Sequence, residues 1–244
     1  MLSNESGLLK TATSGGWSVL FMLFAISLTL ALPAQASNLP ESWKQFIAEA
    51  EKHGAEQLLL VFTSAAGVSK AELFCLERAA DGWESAMPAM GASVGRKGIA
   101  ESGTKREGDG RTPYGIFPIG MAFGYQETHT TKMPYRQMHK EDIWVDDPSA
   151  ADYNRLVRKD STSAKSFEYM RRKDDLYKLG LVVEYNTNPV VPGMGSAIFI
   201  HIWGRPFAST AGCLGLPEPD LEKVLGFLDP AKNPVIGFFR SDLH

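Results

Sequence analysis

His201 and Cys213 are the two side chains whose types and spacing fit a chemical reaction. His201 stands late in the apolar run Ile198-Phe199-Ile200-His201-Ile202. Twelve positions on, Cys213 stands in the small-residue turn Thr210-Ala211-Gly212-Cys213. The thiolate is the nucleophilic form of cysteine, and it needs a base or a positive neighbour to form. One hairpin-like connection between the two segments brings such a base to such a thiol. Gly212, with no Cβ, lets a substrate carbonyl approach the backbone. The blander alternative is a structural cysteine in a core strand with a satisfied histidine nearby, since free cysteine is among the most buried residue types. The residues around the pair favour the chemical reading.

The elements that must position this pair are mostly β. The 244 residues are 44% hydrophobic and 22% charged, an ordinary globular composition. A net charge of −3 leaves no electrostatic footprint for nucleic acid. Residues 41–53 read as an amphipathic helix through Trp43, Phe46, Ile47 and Ala50. Leu58–Thr63 is a dense apolar strand, and Lys70–Arg78 pairs with it as a hairpin. Trp83–Val94 is a further strand, broken by Pro88. The Gly-rich segment Gly95–Arg111 carries Lys97, Lys105, Arg106 and Arg111. It is not a phosphate loop, because no Gly-Lys-Ser/Thr opens a helix there. Thr112–Ile119 is a turn feeding a strand. Residues 123–180 are too long for a simple connection and read as an insertion that covers or shapes a cleft, with a helix over about Ser163–Lys173. Leu181–Tyr185, Ala197–Ile202 and Pro234–Phe239 are strands. Leu221, Val224, Leu225 and Leu228 mark a helix packed by one face.

Two further features concern metals and disulfides. Asp142, Asp146 and Asp147 cluster in a polar loop, but their spacing matches no calcium loop, so no metal is expected. The other cysteine, Cys75, lies in the alternating run Ala71-Glu72-Leu73-Phe74-Cys75-Leu76-Glu77. It reads as a small core residue with no disulfide to Cys213.

The N-terminus has the pattern of a secretory signal peptide. Lys10 precedes an apolar run from Trp17 to Leu32, Pro33 breaks it, and Ala34-Gln35-Ala36 offers the small residues of a cleavage site. The run of about 16 residues is short for a bilayer, which needs roughly 20. Cleavage after Ala36 leaves no stable membrane anchor and directs the protein to the periplasm. The expected organisation is a signal peptide at 1–36, a helical lead-in at 37–55 and a catalytic domain at 56–244 with the insertion at about 123–180.

Three blocks resemble the L,D-transpeptidase catalytic domain (YkuD) family. They are Lys105-Arg106-Glu107-Gly108-Asp109-Gly110-Arg111-Thr112-Pro113-Tyr114-Gly115-Ile116-Phe117, then Tyr185-Asn186-Thr187-Asn188-Pro189, and then Gly195-Ser196-Ala197-Ile198-Phe199-Ile200-His201 running through to Gly212-Cys213. The resemblance implies a mainly β, α+β fold with short helices and a curved mixed β-sheet or sandwich. It implies peptidoglycan stem peptides as substrate and no cofactor. By position it makes Cys213 the nucleophile and His201 the base. It puts oxyanion stabilisation on the backbone at Gly212 and Cys213, and Thr210 at the Ser/Thr position of a Ser/Thr-His-Gly-Cys pattern. The chain departs from that pattern at Ala211, where many members have a second histidine.

The function expected on this basis is an exported cysteine L,D-transpeptidase that joins stems and releases D-alanine. Arg205, between base and nucleophile, suits the stem's terminal carboxylate, with a solvated loop arginine as the alternative. Trp203 and Tyr125 are candidate groove residues, with packing as the alternative. Ser209 is placed to support the cysteine turn. Competing functions are an L,D-carboxypeptidase that trims tetrapeptides, a non-catalytic wall-binding module, and a thiol oxidoreductase. The last lacks a Cys-x-x-Cys pair. Protein partners are not readable.

Overall fold

The structure, a computed structural model, describes residues 39–243. The expected signal peptide at 1–36 lies outside the described residues. A short 3-10 turn (Glu41–Trp43) leads into helix α1 (Lys44–Lys52), where the apolar spacing predicts a helix. The strands then follow as β1 (Gln57–Thr63), β2 (Lys70–Ala79), β3 (Gly82–Ser85), β4 (Met90–Ser93), β5 (Gly115–Gly124), β6 (Tyr135–Gln137), β7 (Asp142–Val145), β8 (Leu156–Arg158), β9 (Phe167–Tyr169), β10 (Leu179–Val183), β11 (Phe199–Ile202) and β12 (Leu214–Leu216). Helix α2 (Glu218–Phe227) and β13 (Val235–Arg240) complete the described chain. Among the described residues no helix is long and apolar enough to cross a membrane.

The main sheet is mixed and closes on itself. Its path runs β1, β13, β5, β10, β11, β12, β4, β2, and β2 pairs back with β1. The expected curved mixed sheet is therefore present, and its curvature is enough for the edges to meet. Closure removes the unpaired N–H and C=O rows that an open edge exposes. Side chains alternate across each strand. Leu59 and Val61 of β1 point into the ring with Leu73 and Cys75 of β2, while Leu58 and Leu60 point out and pack under Phe46 and Ala50 of α1. Helix α2 adds Leu221, Val224 and Leu225 to the inner cluster, and its C-cap residue Leu228 joins them.

The segment expected to be an insertion starts after Gly124, where β5 ends. It forms a second sheet in the order β8, β7, β9. The expected helix over Ser163–Lys173 is absent, and β9 stands there. It pairs antiparallel with β7 in the register Ile143↔Tyr169, Trp144↔Glu168 and Val145↔Phe167. Phe167 and Tyr169 alternate with Glu168 and Met170, a two-residue period that β7 completes. The local pattern gave no helix a continuous apolar stripe, so tertiary pairing decided the element.

Asn154 fastens this small sheet to the segment that enters β11. It adopts a left-handed backbone (φ 57°), which asparagine tolerates better than most residues. Its Oδ1 accepts from Trp144 Nε1 at 2.8 Å and from the Ala197 N–H at 3.1 Å. Its Nδ2 donates to the carbonyls of Tyr185 at 3.0 Å and Asn186 at 2.7 Å. Every hydrogen-bonding position of the amide is used. Asn154→Ala removes these bonds and strands buried partners, and it is expected to cost about 3 kcal/mol. Urea denaturation checks this through a lower midpoint, and a midpoint equal to that of the unmutated protein refutes it.

Candidate active site

His201 lies on β11 and Cys213 immediately precedes β12, the strand that pairs parallel with it. The register pairs Ile200 with Leu214 and His201 with Gly215. The expected hairpin-like connection is therefore a crossover, as parallel neighbours require. Ile200, Ile202, Leu214 and Leu216 point into the barrel. Alternation sends Phe199, His201 and Cys213 to the outer face, under Trp144, Met138 and Met170 of the smaller sheet and its flanks. His201 also faces Gly180 across β10. Both in-register neighbours of His201 are glycines: a Cβ on Gly180 would lie 2.4 Å from the Phe123 ring, and one on Gly215 would lie 2.6 Å from Ser93 Oγ.

The resting pair is neutral. His201 Nδ1–H donates to the Ile202 carbonyl at 2.7 Å, since a carbonyl only accepts. This tautomer leaves the Nε2 lone pair free to accept a proton. Burial pushes the imidazole down to about 4, partly opposed by that hydrogen bond. The Cys213 thiol is 5% exposed and donates to the Ala197 carbonyl at 3.3 Å. Burial pushes it up to about 12, reinforced by the charge of Glu168, against the opposing pull of the Phe199 N–H, the Tyr177 hydroxyl and Lys105. Ala197 itself is left-handed (φ 52°), a strained state for alanine that aims its carbonyl at the thiol.

Two threonines hold the cysteine turn. Thr210 Oγ1 donates to the Cys213 carbonyl at 2.7 Å and accepts the Gly212 N–H at 3.1 Å. Thr112 Oγ1, fully buried, donates to the Gly212 carbonyl at 2.7 Å and accepts the Gly95 N–H at 2.9 Å. The Gly-rich segment is thereby sewn to the turn, with Arg96 N–H on the Thr210 carbonyl at 2.9 Å as a further stitch. Gly212 is needed here for a reason the sequence did not disclose. A Cβ at that position would lie 2.9 Å from the Arg111 carbonyl oxygen. Ser209 is exposed and makes no hydrogen bond to the turn among the described residues.

Cys213 opens into a cleft of about 160 Å³ lined by Arg96, Lys105, Glu107, Asp146, Glu168 and the Ala211–Gly212 backbone, among others. Lys105 is tied to Asp109 and to the Arg106 carbonyl, each at 2.8 Å. Glu107 accepts from Ser196 at 2.6 Å and from Tyr153. Asp146 Oδ1 is buried without a hydrogen-bond partner, and burial raises this carboxyl. Arg96 is exposed at the cleft, and its guanidinium has no ion pair among the described residues.

The remaining sequence candidates lie elsewhere. Arg205 is exposed and does not line this cleft. Trp203 packs on Phe207, ring centroids 5.2 Å apart, and its Cβ lies 3.3 Å from where a Cβ on Gly215 would stand. Tyr125 braces a neighbouring segment instead. Its hydroxyl accepts the Arg172 N–H at 2.7 Å and donates to the Arg172 carbonyl at 3.1 Å. Asp142 and Asp147 are structural acceptors, for the His139 N–H at 2.7 Å and the Lys165 N–H at 2.8 Å respectively. Cys75 is a free thiol in the inner cluster, on the opposite face of the barrel wall from Cys213. Sequence reasoning missed Arg96, Glu168 and Tyr177. The basic Gly-rich segment was a signal for the first; neither of the others has a spacing that announces it.

A family model described as the L,D-transpeptidase catalytic domain (YkuD) matches residues 68–236, which include β2 through β12 and both His201 and Cys213. Comparison with curated proteins finds no match.

The depressed imidazole makes stability pH-dependent. Unfolded, His201 takes a proton near pH 6.5, whereas the folded protein resists protonation to about 4. The unfolded state binds more protons between these values, so stability falls as pH drops through that window, by up to about 3 kcal/mol. Denaturant midpoints measured across the window are expected to show this loss, and His201→Gln is expected to flatten it. An equal slope in the variant refutes the assignment.

Proposed function

The chain belongs to the L,D-transpeptidase catalytic-domain family, and from that premise we propose that it is an exported cysteine L,D-transpeptidase acting on peptidoglycan tetrapeptide stems. The observation that carries the reading is the placement of Cys213, at the entry to β12, and His201, on the adjacent β11, on one outer face, with the thiol opening into a cleft lined by charged side chains. The signal-like N-terminus supports export to the periplasm, with cleavage after Ala36.

The reaction runs on neutral groups at rest. Cys213 Sγ attacks the amide carbonyl that links the third residue of the stem to its terminal D-alanine. His201 Nε2 takes the thiol proton as the S–C bond forms, because neither a free thiolate nor an imidazolium is stable in this buried site at neutral pH. The Gly212 N–H is already bonded to Thr210, which leaves the Cys213 N–H to receive the oxyanion. Collapse breaks the C–N bond, His201 returns its proton to the departing D-alanine amine, and a thioester remains. An acceptor amine then attacks the thioester, gives up a proton through His201 and restores the thiol. Water in its place yields a tripeptide.

Mass spectrometry of disaccharide-tetrapeptide incubated with the protein tests this. Cross-linked dimers and D-alanine are expected with the unmutated protein and neither with Cys213→Ala. Tripeptide without dimers reassigns the protein as an L,D-carboxypeptidase. Binding without turnover reassigns it as a wall-binding module.

Arg96, not Arg205, lines the cleft, and unlike Lys105, which is tied to Asp109, it has no ion pair among the described residues; we assign it the stem's terminal carboxylate. Arg96→Ala is expected to raise KM about 10-fold or more, the scale of a charge-assisted hydrogen bond, with a smaller effect on kcat. Arg205→Ala is expected to leave both within about twofold. Steady-state kinetics on tetrapeptide checks the pair, and the reverse ranking refutes the assignment.

A further inference from the structure

Tyr177 touches the surroundings of both reacting groups, and nothing in the mechanism above uses it. It is 4% exposed. The edge of its ring meets the His201 imidazole, centroids 5.1 Å apart at 65°, and the Phe199 ring at 5.6 Å. It packs in the same outer cluster as Cys213. Its hydroxyl donates to Glu168 Oε2, and Glu168 lines the cleft beside Cys213. The Arg172 guanidinium covers the ring at 4.9 Å while bound to Asp174 at 2.6 Å. Within the cysteine turn stands Ala211, whose side chain carries no proton donor.

Resting on the reading of this site as a thiol acyltransferase, we propose that Tyr177, anchored by Glu168, is the positioning residue of the Cys213–His201 pair, its ring setting the imidazole and its hydroxyl orienting the sulfur. Several groups keep it in place. β9 supplies Glu168 through its pairing with β7, and β10 begins two residues after Tyr177. A phenol has one proton to donate, and at rest Glu168 receives it. The hydroxyl thus holds the Glu168 carboxylate, which lines the cleft with Cys213.

The two members of this pair act on the thiol in opposite directions. The charge of Glu168 opposes the thiolate, while the Tyr177 hydroxyl favours it. Of the other charged groups around the cleft, Lys105 favours the thiolate. Arg96, Glu107 and Asp146 share the cleft and stay unchanged in the variants below. A purely structural role for Tyr177 and Glu168 gives no reason for opposite signs.

Site-resolved alkylation of Cys213 by iodoacetamide, followed by mass spectrometry between about pH 7 and 10, reads the thiolate directly. Tyr177→Phe keeps the ring and removes the hydroxyl. It is expected to shift the alkylation profile to higher pH and to lower kcat about 10-fold or more, with KM within about threefold. Glu168→Gln keeps an acceptor for the hydroxyl and removes the charge. It is expected to shift the profile to lower pH, with alkylation several-fold faster at neutral pH. Shifts in the same direction, or an unchanged profile in Tyr177→Phe, overturn the proposal. If Tyr177→Phe fails to fold by circular dichroism, the Glu168→Gln profile decides, and no shift overturns it. Alkylation needs no stem peptide, so a wrong substrate assignment silences the kinetic arm and leaves the alkylation arm intact.

Discussion

The parallel pairing of β11 with β12 is the constraint on which the site depends. A parallel ladder aligns residues by register, and here it sets His201 opposite Gly215, two places beyond the cysteine. Period-two alternation does the rest, since Ile200, Ile202, Leu214 and Leu216 are held inside by the barrel core. A slip of one residue in either strand would turn His201 or Cys213 into the core and a leucine or isoleucine into the cleft. The apolar partners inside the barrel therefore enforce the orientation of the reactive ones outside.

The smaller sheet then determines what chemistry that face can do. By covering the outer face of β5, β10 and β11, where Phe123, Val182 and Phe199 pack with Trp144 and Met170, it removes His201 and Cys213 from water. Desolvation is the largest influence on both groups. It holds the thiol protonated and the imidazole neutral until a substrate arrives. The cover is itself pinned through Asn154, whose Oδ1 accepts from Trp144 in the small sheet and from Ala197 beside the thiol. Ala197 links the two layers in another way, because its left-handed backbone presents the carbonyl that receives the thiol proton.

The Gly-rich segment forms the other wall. Thr112 bridges Gly95 and Gly212, so one buried hydroxyl joins the wall to the cysteine turn. The charged groups in the cleft are mostly held by neighbours: Lys105 by Asp109, Glu107 by Ser196 and Tyr153, and Glu168 by Tyr177. Such a network fixes side chains that would otherwise have to be ordered when substrate binds.

Much of this was legible in the residues. The helical spacing of Phe46 and Ala50 and of Leu221, Val224 and Leu225 marked α1 and α2, and dense apolar runs marked β1, β11 and β13. The order of the blocks around Thr112, Tyr185 and Cys213 carried the family resemblance. Local pattern could not reveal pairings between distant segments. β9 exists because β7 offers it a partner, and Gly212 is required because the Arg111 backbone arrives from far along the chain. The aromatic and charged candidates show the same division. Arg205, Trp203 and Tyr125 have suitable chemistry and lie elsewhere, whereas Glu168 and Tyr177 carry no spacing signal, and Arg96 only its place in a basic Gly-rich segment, and all three lie at the site. The sequence by itself determined which histidine and cysteine stand out as a reactive pair and the alternation that makes them share a face. Only the tertiary structure decided which side chains surround them, because burial, register and close backbone approach are properties of segments brought together from across the chain.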